Sequence, residues 1–165
     1  SAPARGPERG QVLSGTDLEN WGDEVRAAGR TIAFTNGCFD LVHSGHLASL
    51  VQAASAADEL IVALNSDDSV RRLKGEGRPI LPEAERAALI ASLRPVSAVT
   101  IFSEPTPLEV ILRIRPHVLV KGSEYAEEDI VGAAEVKSWG GHVLRVPMVP
   151  GWSTSRIIDA IRRLP

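Results

Sequence analysis

The chain has 165 residues, enough for one domain with a buried core. Hydrophobic residues make up 44% and charged residues 24%, a balance with neither the polarity of a disordered chain nor an apolar run long enough to span a membrane. The formal charge is −3 and basic residues are interleaved with acidic ones, so no dense cationic block offers itself to nucleic acid or an anionic bilayer.

Cys38 is the sole cysteine, so no disulfide closes within the chain, and residues 1–10 carry no apolar leader; the expected compartment is the cytoplasm. Residues 1–15 are rich in Pro, Gly and Arg and read as a flexible tail, with one domain over 16–165. A helix is expected from an N-cap at Asp17, with Leu18, Trp21 and Val25 at helical spacing and a stop at Gly29. Five short apolar runs follow at 31–35, 59–65, 97–102, 117–121 and 142–147, each with β-rich composition. Helical patterns separate and follow them at about 44–57, 66–73, 82–93, 107–115, 131–139 and 153–163. Short apolar strands alternating with helices predict a doubly wound α/β domain. Its sheet would be parallel and five-stranded in the order 3-2-1-4-5, with helices on both faces. Segment 74–82, KGEGRPILP, with two Gly and two Pro, is expected to be a mobile loop over the site.

The first strand runs into Asn36-Gly37-Cys38-Phe39-Asp40-Leu41-Val42-His43-Ser44-Gly45-His46, after which a helix begins. In an open α/β sheet the ligand lies beyond the C-terminal strand ends, and a helix N-terminus there favours anions. Gly37 would let the backbone approach a phosphate, and Gly45 would let the helix pack between two histidines. His43 and His46, three apart, are expected on nearly one face of the first turn, where both can donate to a triphosphate. Such donors stabilise the charge that shifts onto equatorial and leaving oxygens when a phosphate oxygen attacks phosphorus. An anionic phosphate nucleophile needs no general base, so the histidines are assigned to binding and charge stabilisation.

A zinc site is disfavoured because neither an HExxH helix nor a cysteine cluster supplies further ligands, and neither a P-loop nor a GxGxxG fingerprint is present. His117 and His142 read as ordinary strand-opening residues, and Cys38 as a small apolar filler.

These residues resemble the HxGH nucleotidyltransferase superfamily, whose GxFDxxHxGH signature is matched by Gly37, Phe39, Asp40, His43, Gly45 and His46. Within it the chain is most similar to bacterial D-glycero-β-D-manno-heptose 1-phosphate adenylyltransferases, through TNGCFDLVHSGH, LNSDDSVRRLKGEGRPI, RPHVLVKGSEY and PGWSTSRII, over about Leu18 to Leu164. In many bacteria that activity is fused to a sugar kinase, and this chain looks like the stand-alone form. The resemblance implies ATP and a sugar 1-phosphate as substrates, Mg²⁺ held mainly by the triphosphate, and a homodimer. It further implies that His43 and His46 contact the triphosphate, that Asn36, Gly37, Cys38 and Phe39 help cradle it, and that Ser153, Thr154 and Ser155 form a second anion grip. A plain N-cap is a comparable reading of that Ser/Thr cluster. Lys74 looks like a lysine that neutralises phosphates.

Lys121, beside Gly122, closes an apolar strand next to the HxGH strand and is expected to face the nucleotide. Asp40 would hold substrate hydroxyls or a metal, and Asn65 and Asp67 end the second strand in the same crevice; loop capping is a comparable reading for each. Trp152 stands where the family often has another bulky apolar residue. Two rivals stay open: a cytidylyltransferase acting on glycerol 3-phosphate or a similar alcohol phosphate, and a nucleotide-sensing module that performs no chemistry.

Overall fold

The computed structural model describes residues 6–165. Along the chain run β1 (Gln11–Leu13), α1 (Thr16–Ala27), β2 (Ile32–Gly37), α2 (Ser44–Ala54), β3 (Glu59–Asn65), α3 (Asp67–Lys74) and α4 (Glu83–Ser92). Then come β4 (Ala98–Phe102), α5 (Leu108–Ile114), β5 (Val118–Gly122), a 3-10 turn at Glu127–Asp129, α6 (Ala133–Ser138), β6 (His142–Val146) and α7 (Thr154–Arg162). The six strands form one sheet in the order β1-β4-β3-β2-β5-β6, and every pairing is parallel. Strands β2 to β6 keep the expected 3-2-1-4-5 order, and β1 adds a sixth strand at the edge.

Alternation along the strands explains why helices cover both faces, since successive side chains point to opposite sides of a sheet. Ile32, Phe34, Ile61, Ala63 and Leu119 pack with Leu18, Trp21 and Val25 of α1, Ile111 and Ile114 of α5 and Val136 of α6. Ala33, Leu60, Val62, Leu64 and Val118 pack the opposite way, against Leu50 and Ala53 of α2 and Ala87 and Ile90 of α4. Strand β3, ELIVALN, is buried at every position, as expected of a strand covered on both faces. Truncating a fully buried aromatic such as Phe34 to Ala would cost ~3–5 kcal/mol.

The expectation of a tail through residue 15 is corrected by β1. Gln11, Val12 and Leu13 pair with Ala98, Val99 and Thr100, and the Thr100 hydroxyl donates to the Leu13 carbonyl at 2.9 Å. Ahead of the strand, the Arg9 guanidinium donates to Glu59, Ser97 and two carbonyls in the turn before β4. Residues 1–5 of the expected tail lie outside the described residues. Helix α1 starts at Thr16 with Gly15 as its cap at φ 56°, so Asp17 sits in the first turn and is not the cap. There it still favours the helix, because a carboxylate near the N-terminus opposes the macrodipole.

The sheet turns at β2. The chain moves outward from β2 to β3 and β4, then returns to the other side of β2 with β5 and β6. The crevice between the loops after β2 and β5 lies at this reversal, where α/β sheets place their ligands.

Candidate active site

A cleft of about 670 Å³ opens at the C-terminal strand ends. His43, His46, Lys74, Lys121 and the three residues Ser153, Thr154 and Ser155 border it, together with the Asn36–Phe39 loop. An adjoining hollow of about 300 Å³ shares the loop and Lys121 and is closed by Gly122, Glu124, Tyr125 and Pro147. Two helix N-termini point into the larger cleft, those of α2 and α7, and each brings unpaired amides and a partial positive charge.

The histidines do more than share a helix face. His43 is the N-cap of α2 and has extended backbone, with φ −136° and ψ 177°. Its Nδ1 accepts the Gly45 amide at 3.1 Å, while His46 Nδ1 accepts the His43 amide at 3.2 Å. Two imidazoles thus cap the helix where a Ser and a Glu ordinarily would. The consequence is chemical: with both Nδ1 atoms accepting, each neutral ring carries its proton on Nε2. The rings lie against one another with centroids 3.9 Å apart, and Phe39 packs on His46 at 5.3 Å. Burial pushes the His46 pKa down to about 4, and the charge of a protonated His43 acts in the same direction against the pull of Asp40. Burial also lowers His43. At neutral pH the pair is therefore uncharged and presents two N–H donors.

Glycines shape this corner by making room for side chains. A Cβ on Gly37 would come within 2.9 Å of the Phe39 ring, so Gly37 makes room for an aromatic side chain. Phe39 and Leu41 both take left-handed backbone, φ 50° and 52°, which winds the loop tightly between β2 and α2. A Cβ on Gly45 would meet the His43 ring at 2.8 Å, so Gly45 is what lets that imidazole fold back over its own helix.

The Ser/Thr cluster divides its labour. Ser153 Oγ accepts the Arg156 amide at 3.1 Å and caps α7, the plain N-cap role. Thr154 donates its hydroxyl to the Asp40 carbonyl at 2.5 Å, tying α7 to the loop after β2. The Ser155 hydroxyl and the amides of Thr154 and Ser155 make no hydrogen bond among the described residues. Across the cleft Lys121 is part-buried, its Nζ 5.1 Å from the centre of the Tyr125 ring. Burial lowers the lysine's pKa, while Glu124 and Cys38 act to raise it. Lys74 ends α3 at the rim.

Three acidic or amide positions expected near the substrate are engaged by protein partners. Asp40 is buried, and its carboxylate accepts the Leu81 amide on Oδ1 (3.0 Å) and the Ile80 amide and Arg78 Nε on Oδ2 (2.8 and 3.3 Å). Asp40 borders the cleft with both oxygens engaged by protein donors, which is the loop-capping reading of this residue. Segment 78–81 is thereby fastened to the floor of the site. Asp67 does not border the cleft; its carboxylate pairs with Arg86 at 2.8 Å. Asn65 borders it but is buried, donating from Nδ2 to Ser69 Oγ at 2.9 Å and accepting from the Cys38 thiol. The Cys38 thiol is raised by burial, against the nearby charges of Lys74, Arg86 and Arg78, which suits the filler role. His117 has a structural use, its Nδ1 accepting the Ile32 amide at 2.9 Å, and His142 is exposed at the start of β6.

Arg86 was missed. Its side chain is fully buried, donating from Nε to Leu81 O, from Nη1 to the carbonyls of Cys38 and Asn65, and from Nη2 to Asp67. One guanidinium thus binds together the ends of β2 and β3 and the segment before α4. The available signal was its spacing: Arg86 lies four residues before the buried Ile90, on the apolar face of its helix.

Comparisons with known proteins agree with this geometry. The cytidylyltransferase-like family model matches residues 34–160. The bifunctional protein HldE of Acidiphilium cryptum (strain JF-5) is 52% identical over 160 residues, covering 97% of this chain and 33% of that one. HldE of Koribacter versatilis (strain Ellin345) is 57% identical over 128 residues, 78% of this chain and 26% of the relative. The chain thus spans a third or less of the length of these curated relatives. Among solved structures, the lipopolysaccharide core biosynthesis protein from Thermoplasma volcanium GSS1 superposes with a TM-score of 0.60 at 26% identity, over 73% of this chain and 98% of that one. A pantoate-beta-alanine ligase from Francisella tularensis, solved with beta-gamma ATP and beta-alanine, gives a TM-score of 0.61 at 14% identity over 94% of this chain and 77% of its own, a likeness of fold alone. With its family match running from the middle of β2 into α7, and so across both helix N-termini of the cleft, the chain belongs to the cytidylyltransferase-like family.

Proposed function

We propose that the chain transfers AMP from ATP to D-glycero-β-D-manno-heptose 1-phosphate, giving ADP-heptose and pyrophosphate by direct in-line attack. The observation that carries this reading is the neutral imidazole pair, whose Nε2–H groups are fixed by backbone bonds at the mouth of α2. ATP arrives as its magnesium complex, with the triphosphate supplying most of the metal's ligands. Its phosphates lie between the histidines and the open amides of α7, with Lys121 neutralising the charge that develops on the leaving pyrophosphate. The attacking oxygen belongs to the sugar phosphate, already an anion, so no residue has to remove a proton. Adenylyl transfer to a heptose phosphate rests on the sequence resemblance, and the high identity to proteins named HldE supports it.

The family description favours one rival, transfer of CMP to an alcohol phosphate. Pyrophosphate release measured over a matrix of nucleoside triphosphates and phosphorylated acceptors separates the two. The proposal expects turnover with ATP and the heptose phosphate. Turnover with CTP and glycerol 3-phosphate alone would replace it, and tight nucleotide binding without any product would favour a sensor. A cytoplasmic homodimer is proposed with the activity, to be checked by light scattering; no helix among the described residues is long and apolar enough to cross a membrane.

A further inference from the structure

Arg78 is a cation at the cleft whose side chain is largely buried yet incompletely used. Its side chain is 19% exposed and borders the cleft, and Nε donates to Asp40 Oδ2 at 3.3 Å. Its two Nη groups find no acceptor among the described residues. A guanidinium clamped through Nε and open at its terminal fork is suited to two parallel bonds with a phosphate. The clamp itself is firm, because Asp40 also takes the amides of Ile80 and Leu81, which fixes the backbone from which Arg78 projects. Arg86 holds the same segment from the other side through the Leu81 carbonyl.

Position in the fold says which phosphate this fork meets. Segment 75–82 follows β3 and α3, on the β3/β4 side of β2, whereas α7 comes in from β6 and meets the loop after β2 through Thr154 and the Asp40 carbonyl. The histidines, at the start of α2, border the same cleft. A nucleotide held by the histidines and α7 leaves the β3/β4 side for the second substrate, where Asn65, Phe102 and Pro105 complete the wall. We propose that Arg78 binds the phosphate of the acceptor, and that Asp40 is the positioning residue that presents it. This rests on the reading of the cleft as a nucleotidyltransferase site and adds to it the residue that receives the second substrate.

Calorimetric titration of D-glycero-β-D-manno-heptose 1-phosphate into the protein saturated with a non-hydrolysable ATP analogue and magnesium tests this without requiring turnover. Arg78→Gln is expected to weaken that binding at least tenfold while leaving the affinity for the ATP analogue within twofold. Arg78→Lys should recover part of the loss, since it keeps the charge but not the fork. Asp40→Asn should raise the KM for the sugar phosphate more than it lowers kcat, with circular dichroism confirming that the variant is folded. Equal acceptor binding in wild type and Arg78→Gln overturns the inference, as does a loss of nucleotide affinity as large as the loss of acceptor affinity, which would place the fork on the triphosphate. A wild-type protein that binds the nucleotide but neither this sugar phosphate nor glycerol 3-phosphate would overturn the acceptor reading of the site itself, and the inference with it.

Discussion

The backbone amide of His43 donates to Nδ1 of His46 across 3.2 Å, so the second histidine is held by the peptide group of the first. Ring orientation, tautomer and helix cap are set by one arrangement, and removing either ring disturbs a donor pair without opening the hydrophobic core. His46→Ala should fold and lose turnover by roughly 10²–10³-fold, the range for deleting a single preorganised donor. Steady-state kinetics beside a thermal melt checks both halves, and a fully active variant would contradict the role given to this ring.

Protonation of His46 links the site to stability. Its pKa is depressed from 6.5 to about 4 in the folded protein, mainly by burial, so below pH 6.5 the unfolded chain takes up a proton that the folded chain refuses. Stability contributed by keeping this ring neutral is present above pH 6.5 and is lost as the pH falls toward 4. The melting temperature of the unliganded protein should therefore decline through that window, and His46→Gln should flatten the decline. An identical slope in the two proteins would show that other groups govern it.

Gly45 makes room for the His43 ring. Alanine there improves helix propensity by about 1 kcal/mol, yet its methyl would sit 2.8 Å from His43 Cε1. Gly45→Ala should stay folded with turnover reduced about 10²-fold, the scale on which displacing a reacting group by an ångström is felt. Unchanged kcat would mean that the ring's position is not critical.

Arg86 supports the site through hydrogen bonds and an ion pair with Asp67. Arg86→Met would leave the carbonyls of Cys38, Asn65 and Leu81 and the carboxylate of Asp67 without their donor. Leaving these acceptors without a donor should cost ~1–3 kcal/mol, read from urea denaturation of the variant against wild type. A loss below about 1 kcal/mol would show that water takes the place of the guanidinium.

Strands β2 to β6, their order and the helix pattern were legible because short apolar runs alternate with stretches of helical period along the sequence. Strand β1 was not, since only Leu13 of its three residues is buried and an edge strand is held by backbone pairing that demands no side-chain pattern. The histidine pair was visible from its spacing, but the exchange of backbone bonds that fixes its protons was not, because it depends on His43 leaving helical geometry. Asp67 illustrates the opposite case. A carboxylate near a strand end looks like a substrate ligand until its partner is known, and its partner, Arg86, is 19 residues away in the chain.

The most direct test of the account is a crystal structure with a non-hydrolysable ATP analogue and magnesium. Phosphate oxygens within hydrogen-bond distance of Nε2 of both His43 and His46, and of the Thr154 and Ser155 amides, are the predicted result. Density for the triphosphate elsewhere, with the two Nε2 atoms bonded only to protein, would contradict it.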